Sequence, residues 1–186
     1  MAIVNSMRLG MALGLTLLLA TGGALAQDAS SSSSAPASAE AATKVTPGSL
    51  TPDQVTADRA IWKKADCTNC HGWSGNGHDT GPVPPGPSLR AIELDYDSVR
   101  EVVQCGRPGT NMPSHDRLAY TDKRCYGMTS ADVGKQKPQK GFALKPEELD
   151  AVSAYVVGFL EGKGDVTKPE CEEYYGAGNA VCNNYQ

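Results

Sequence analysis

The chain has 186 residues and a formal net charge of −4 at pH 7, with 17 Lys and Arg against 21 Asp and Glu. A chain of this size fits one compact domain with room for an extension. Its mildly acidic balance is a poor match for nucleic acid, whose phosphates attract basic surfaces. A basic or mixed-charge face on another protein is a better partner for such a surface.

Residues 1–26 have the pattern of a signal peptide. Arg8 supplies the positive n-region, Leu9–Ala20 is the apolar h-region, and Ala24-Leu25-Ala26 forms a small-residue cleavage site. We therefore expect an exported protein that begins at Gln27, and loss of Arg8 changes the net charge from −4 to −5. The alternative is an uncleaved membrane anchor, because the segment is near the minimum of about 17 residues for a spanning helix.

The rest of the chain divides into three parts by composition. Residues 27–50 are rich in Ser and Ala and contain almost nothing that could bury a core, so we interpret them as a flexible linker. Residues 51–163 form the main domain. Residues 164–186 form a C-terminal extension that contains cysteines.

Three helices are predicted in the main domain. Thr51-Pro52-Asp53-Gln54 has the form of a capping box with proline at the first helical position. Asp95 can cap a second helix that ends at Gly106, and Pro146 opens a third with a long apolar stripe. The expected spans are 51–67, 95–106 and 146–160.

The packing faces of the first and third helices can also be predicted. Ala57, Ile61 and Ala65 lie on one face of the first helix, with Trp62 alongside. Gly158 lies within the apolar stripe of the third helix, where glycine costs about 1 kcal/mol relative to alanine. We expect this glycine to let another helix approach closely.

The most informative motif is Cys67-Thr68-Asn69-Cys70-His71, which follows the first helix. Each thiol of a C-x-x-C-H motif can add to one haem vinyl group, and the following histidine presents a ring nitrogen to the iron. The motif occurs once, so we expect one covalent haem c. Attachment needs reduced thiols in an oxidising compartment such as the bacterial periplasm. A zinc site using Cys67 and Cys70 is an alternative with poor tetrahedral geometry.

Met112 is the first candidate for the sixth iron ligand. It lies 41 residues after the motif histidine in the turn-forming stretch 109–113, where its thioether could reach the distal face. The alternatives are a methionine that fills a gap in the core, or Met128 as the ligand. His78 and His115 could also bind iron, but each lies in a polar stretch and is interpreted as a solvated loop residue. His115 is close enough to Met112 in sequence to lie near the haem without binding it.

Four cysteines remain outside the motif, namely Cys105, Cys125, Cys171 and Cys182. An even number in an exported protein indicates two disulfides, for which three pairings are possible. We favour Cys105 with Cys125 and Cys171 with Cys182, because each bond would close a local ring at about 3 kcal/mol of stabilisation. The alternative links Cys125 to the C-terminal extension.

The ordered set of features resembles class I cytochrome c. The matching segments are 67–71, Gly86-Pro87-Ser88-Leu89, Met112-Pro113 and 149–160, within residues 51–163. The resemblance implies a small all-α fold wrapped around one covalently bound haem, here with a long loop insertion and a C-terminal extension. It also implies that the Pro87 carbonyl accepts a hydrogen bond from Nδ1 of His71, which leaves Nε2 for the iron.

The implied function is single-electron transfer rather than catalysis, with His71 and Met112 as axial ligands. The sequence shows no catalytic dyad, nucleotide loop or carboxylate pair. By analogy with the family, a periplasmic dehydrogenase would be the donor and an oxidase or another cytochrome the acceptor. The alternative is a haem-containing subunit or ligand-binding haem protein with an open distal site.

Two segments depart from the family pattern. Residues 114–145 form a longer connection before the last helix than the family usually has. The extension carries Tyr174, Tyr175 and Tyr185 near acidic residues. We expect the extension to form a docking surface for a redox partner. The alternative is that it covers apolar surface on the haem domain.

Overall fold

The fold consists of helices joined by long loops, as expected for an all-α protein. The structure is a computed structural model that describes residues 45–78 and 83–186. No strand forms within these residues. The signal peptide and most of the linker, residues 1–44, lie outside the described residues. The α-helices are α1 Pro52–Lys64, α2 Thr68–His71, α3 Tyr96–Cys105, α4 Ser130–Val133, α5 Pro146–Tyr155 and α6 Lys168–Tyr175.

Three shorter elements complete the helical structure. A π-helical segment, Val156–Leu160, continues α5 to the end of the predicted apolar stripe. 3₁₀ turns occur at Gly134–Gln136 and Ala180–Asn184. Among the described residues, no helix has the length and apolar character needed to cross a membrane.

α1 begins where the sequence predicts but ends earlier. Thr51 Oγ1 accepts a hydrogen bond from the backbone N of Gln54, and the Gln54 side chain accepts one from the backbone N of Thr51. The helix ends at Lys64, and Asp66 adopts a left-handed backbone with a φ of 62°. This turn separates α1 from Cys67, so the C-x-x-C-H motif forms its own short helix.

The main core lies between α1, α3 and α5. Its buried side chains include Val55, Trp62, Val99, Val103, Leu149, Val152 and Tyr155. The rings of Trp62 and Tyr155 pack with their centroids 5.7 Å apart, which joins α1 to α5. The predicted face of α1 was partly wrong, because Ala57 is exposed and Val55 is buried. Val55 and Trp62 are two helical turns apart and bury more apolar area than alanine can.

The chain before α1 packs against the π-helical segment at Gly158. The backbone N of Gly48 donates to the carbonyl of Gly158 at 2.9 Å. A Cβ atom on Gly158 would lie 2.7 Å from Cγ of Leu50 and 3.2 Å from Cγ1 of Val45. The glycine therefore admits a non-helical segment instead of the predicted helix. Residues 45–50 pack on the core, so the linker assigned to residues 27–50 ends earlier than expected.

Gly158→Ala is expected to lower the free energy of unfolding by about 1 to 3 kcal/mol, the usual cost of overpacking. That cost outweighs the gain in helix propensity of about 1 kcal/mol. Urea denaturation followed by circular dichroism measures this change in the free energy of unfolding. In a Leu50→Ala background the same substitution should cost clearly less, because the clashing side chain is gone. A stabilised Gly158→Ala protein would contradict the packing described here.

The insertion at residues 114–145 folds around a second, smaller cluster. Cys105 at the end of α3 forms a disulfide with Cys125, with an S–S distance of 2.12 Å. Tyr120 and Val133 are buried beside it. The insertion is thus tied to α3 by one of the two local bonds that the sequence favours.

The C-terminal extension packs on Trp73, two residues after the motif. Trp73 is only 5% exposed, and its ring centroid lies 5.0 Å from that of Tyr174, 5.4 Å from Tyr175 and 5.9 Å from Tyr185. The other favoured disulfide, Cys171–Cys182, has an S–S distance of 2.06 Å and holds α6 to the last turn. The tyrosines expected to form a docking surface therefore cover an apolar residue of the main domain.

A buried arginine anchors the extension. Arg90 is 4% exposed, and its Nη1 and Nη2 contact the two carboxylate oxygens of Glu170 at 2.8 and 3.0 Å. The same guanidinium donates to the backbone carbonyls of Ser74, Gly164 and Asp165. Arg90 thus joins the loop after the motif to the extension through several charge-assisted hydrogen bonds.

Candidate functional site

The C-x-x-C-H motif lies on the wall of an apolar cleft. Cys67 precedes α2 and His71 ends it, so the two thiols and the imidazole occupy positions i, i+3 and i+4 of a single turn. The backbone N of His71 donates to the carbonyl of Cys67 at 2.9 Å, which closes this turn. Neither Cys67 nor Cys70 takes part in a disulfide.

The cleft is enclosed by α1, α2, α3, α5 and two loops. Most of its lining is apolar, including Trp62, Pro84, Pro85, Leu89, Ile92, Leu94, Val99, Val102, Val103, Val152 and Val156. Side chains able to bind a metal or a polar group also line it, namely Cys67, Cys70, His71, Arg107, Thr110, Asn111, Met112 and His115. Apolar walls with a few placed polar groups are typical of cofactor sites.

His71 is held in one orientation by the loop that follows the motif. Its Nδ1 donates to the carbonyl of Pro87 at 3.0 Å, so Nε2 keeps its lone pair. A Cβ atom on Gly86 would lie 2.8 Å from Cε1 of His71, so only glycine lets this loop approach the ring. Burial lowers the pKa of His71, while the hydrogen bond to Pro87 raises it.

Met112 lies in the cleft on a tight loop after α3. The backbone N of Arg107 donates to the Met112 carbonyl at 3.2 Å, and Thr110 Oγ1 accepts from the Met112 backbone N at 3.1 Å. The side chain is half-buried. Met128 packs instead against the insertion cluster with Tyr120 and does not line the cleft.

The two remaining histidines differ in their exposure to solvent. His78 is exposed, as expected for a loop residue. His115 was expected to be solvated, and the structure contradicts this, because the residue is 3% exposed and lines the cleft. Its Nδ1 donates to the carbonyl of Phe142 at 2.8 Å, and burial lowers its pKa. Phe142 lies 27 residues further along the chain, so no local pattern could have predicted this contact.

A haem fits the chemistry of this cleft. The apolar walls match a porphyrin, the two free thiols have the spacing for its vinyl groups, and Nε2 of His71 is available to iron. Among residues 45–78 and 83–186, no cluster of three His, Cys, Asp or Glu side chains could hold a metal ion. The zinc alternative therefore has no support in that part of the chain.

A family model described as Cytochrome c matches residues 55–159. The chain belongs to the cytochrome c family. The resemblance, the all-α fold and the covalent haem c expected from the sequence are thereby confirmed, and the family fits an electron carrier. The match extends from α1 into the π-helical segment, so the C-terminal extension lies outside it. No curated protein and no solved structure matches the chain.

Proposed function

We propose that this cytochrome c is a periplasmic single-electron carrier whose haem iron is bound by His71 and Met112. The observation that carries the proposal is that both side chains line one apolar cleft together with the two motif thiols. Cys67 and Cys70 would form the thioether bonds. The signal-peptide pattern of residues 1–26 supports export.

The haem would supply the one-electron redox chemistry. The residues around it would set the orientation of the ligands, the reduction potential and the exclusion of water. The carbonyl of Pro87 holds the ring plane and tautomer of His71, which would leave Nε2 available to the iron in both oxidation states. The soft sulfur of Met112 favours ferrous iron and raises the reduction potential relative to a second imidazole. Val99 and Val152 belong to apolar walls that exclude water, which limits rearrangement during outer-sphere transfer.

Electrons would pass at the open edge of the cleft. Leu94, at 42% exposure, lies at this edge with Pro84, Pro85 and Asn111. An apolar patch with a polar rim suits short-lived docking of redox proteins. A periplasmic dehydrogenase as donor and an oxidase or another cytochrome as acceptor remain the proposed partners.

Met112→Ala tests the ligand assignment. We expect loss of the weak iron–methionine charge-transfer band in the ferric spectrum and a lower reduction potential, because a soft ligand is removed. Met128→Ala is the matched control and should leave both unchanged, since its side chain packs in the insertion cluster. The reverse result would assign the ligand to Met128 and reject Met112.

A further inference from the structure

The cleft holds a second imidazole with the same hydrogen bonding as the motif histidine. His115 is 3% exposed and donates from Nδ1 to Phe142, while His71 is 7% exposed and donates from Nδ1 to Pro87. A carbonyl oxygen only accepts hydrogen bonds, so Nδ1 carries the proton in both rings. Each Nε2 therefore has a free lone pair, the form in which histidine binds a metal.

The packing around the two rings also matches. A Cβ atom on Gly141 would lie 2.8 Å from Cε1 of His115, and one on Gly86 would lie 2.8 Å from Cε1 of His71. Each glycine immediately precedes the residue whose carbonyl accepts the hydrogen bond. The insertion thus reproduces around His115 the packing that orients the proximal ligand.

The backbone of His115 is held more firmly than that of Met112. Its N donates to the carbonyls of Val103 and Gln104 at the end of α3, and its carbonyl accepts from Leu144 N at 2.9 Å. The hydrogen bonds of Met112 described above stay within its own loop. The imidazole lines the cleft and is fixed at Nδ1 by Phe142, so it needs little ordering to bind.

We propose that His115 is a second distal ligand, which binds the haem iron through Nε2 when the thioether of Met112 is not bound. Imidazole is a harder ligand than a thioether, so ferric iron accepts it readily once the thioether has left. The iron–sulfur bond breaks and an iron–nitrogen bond forms, with no electron transferred. No proton moves either, since Nδ1 keeps its proton on the Phe142 carbonyl. The proposal rests on the haem site and on Met112 as the resident ligand.

The chain has three histidines, so His78 provides a matched control. Ferric Met112→Ala protein should be low-spin by electron paramagnetic resonance, with the signature of two imidazoles. Adding His78→Ala should leave that signal unchanged. Adding His115→Ala should convert most of the iron to the high-spin form and let added imidazole bind. High-spin iron in Met112→Ala, or a low-spin signal that survives loss of His115, would overturn the proposal.

A second variant applies if loss of His115 prevents folding. Gly141→Ala in the Met112→Ala background keeps the imidazole but places a Cβ against the ring, so the high-spin fraction should rise. An unchanged low-spin signal would count against His115. The wild-type ferric spectrum tests the proposed function separately. Absence of the iron–methionine band there, together with an unchanged reduction potential in Met112→Ala, would reject Met112, while the Met112→Ala series would still decide on His115.

Discussion

Removal of residues 164–186 should destabilise the haem domain by at least about 3 kcal/mol, the lower end of the cost of breaking a buried ion pair. The truncation exposes Trp73, which three tyrosines now cover, and removes Glu170 and the carbonyls of Gly164 and Asp165 that accept hydrogen bonds from Arg90. The midpoint of urea unfolding should fall, while the spectrum of the folded fraction changes little.

Kinetics separate this outcome from the docking alternative. If the extension only covers the haem domain, electron transfer per folded molecule should keep the same rate and salt dependence. A docking role would give unchanged unfolding and slower, less salt-dependent transfer. The point variant Tyr174→Ala removes one covering ring and should move stability in the same direction by a smaller amount.

Arg90→Ala is the single substitution with the largest expected cost, about 3 to 5 kcal/mol of unfolding free energy. It leaves the Glu170 carboxylate without its main partner and the carbonyls of Ser74, Gly164 and Asp165 without a donor. Such buried polar groups are costly when unpaired. Urea denaturation of the holoprotein measures the effect.

Arg124→Ala provides the matched control. Arg124 also pairs with two carboxylates, Asp116 and Asp122, but on the exposed surface of the insertion. Solvent screens such pairs, so this variant should unfold nearly as the wild type does. In Glu170→Gln protein, Arg90→Ala should cost less than in the wild type, because the two groups are coupled. Equal effects of the two arginine substitutions would contradict the anchoring role of Arg90.

Local features of the protein could be predicted because they depend on residues close together in the chain. The capping box at Thr51, the cap at Asp95 and the C-x-x-C-H turn each need only four or five residues. The favoured disulfides join cysteines 20 and 11 residues apart. Spacing along the chain restricts such features, so sequence reasoning reached them directly.

Long-range contacts were decided by tertiary structure alone. Periodicity shows that a helix has an apolar face, but not which segment covers that face. For this reason we expected a helix to pack at Gly158, whereas the non-helical segment at Leu50 packs there. The polar sequence neighbours of His115 predict solvent exposure. Its burial instead depends on Phe142, in a distant part of the insertion.

The sequence by itself determined the three main helices, the presence of a covalent haem and the family. The tertiary structure decided the surroundings of that site, including the pairing of Arg90 with Glu170, 80 residues later in the chain. The physical reason is that motif chemistry is set by bonded neighbours. Burial and hydrogen-bond partners are instead set by whichever distant segments pack together.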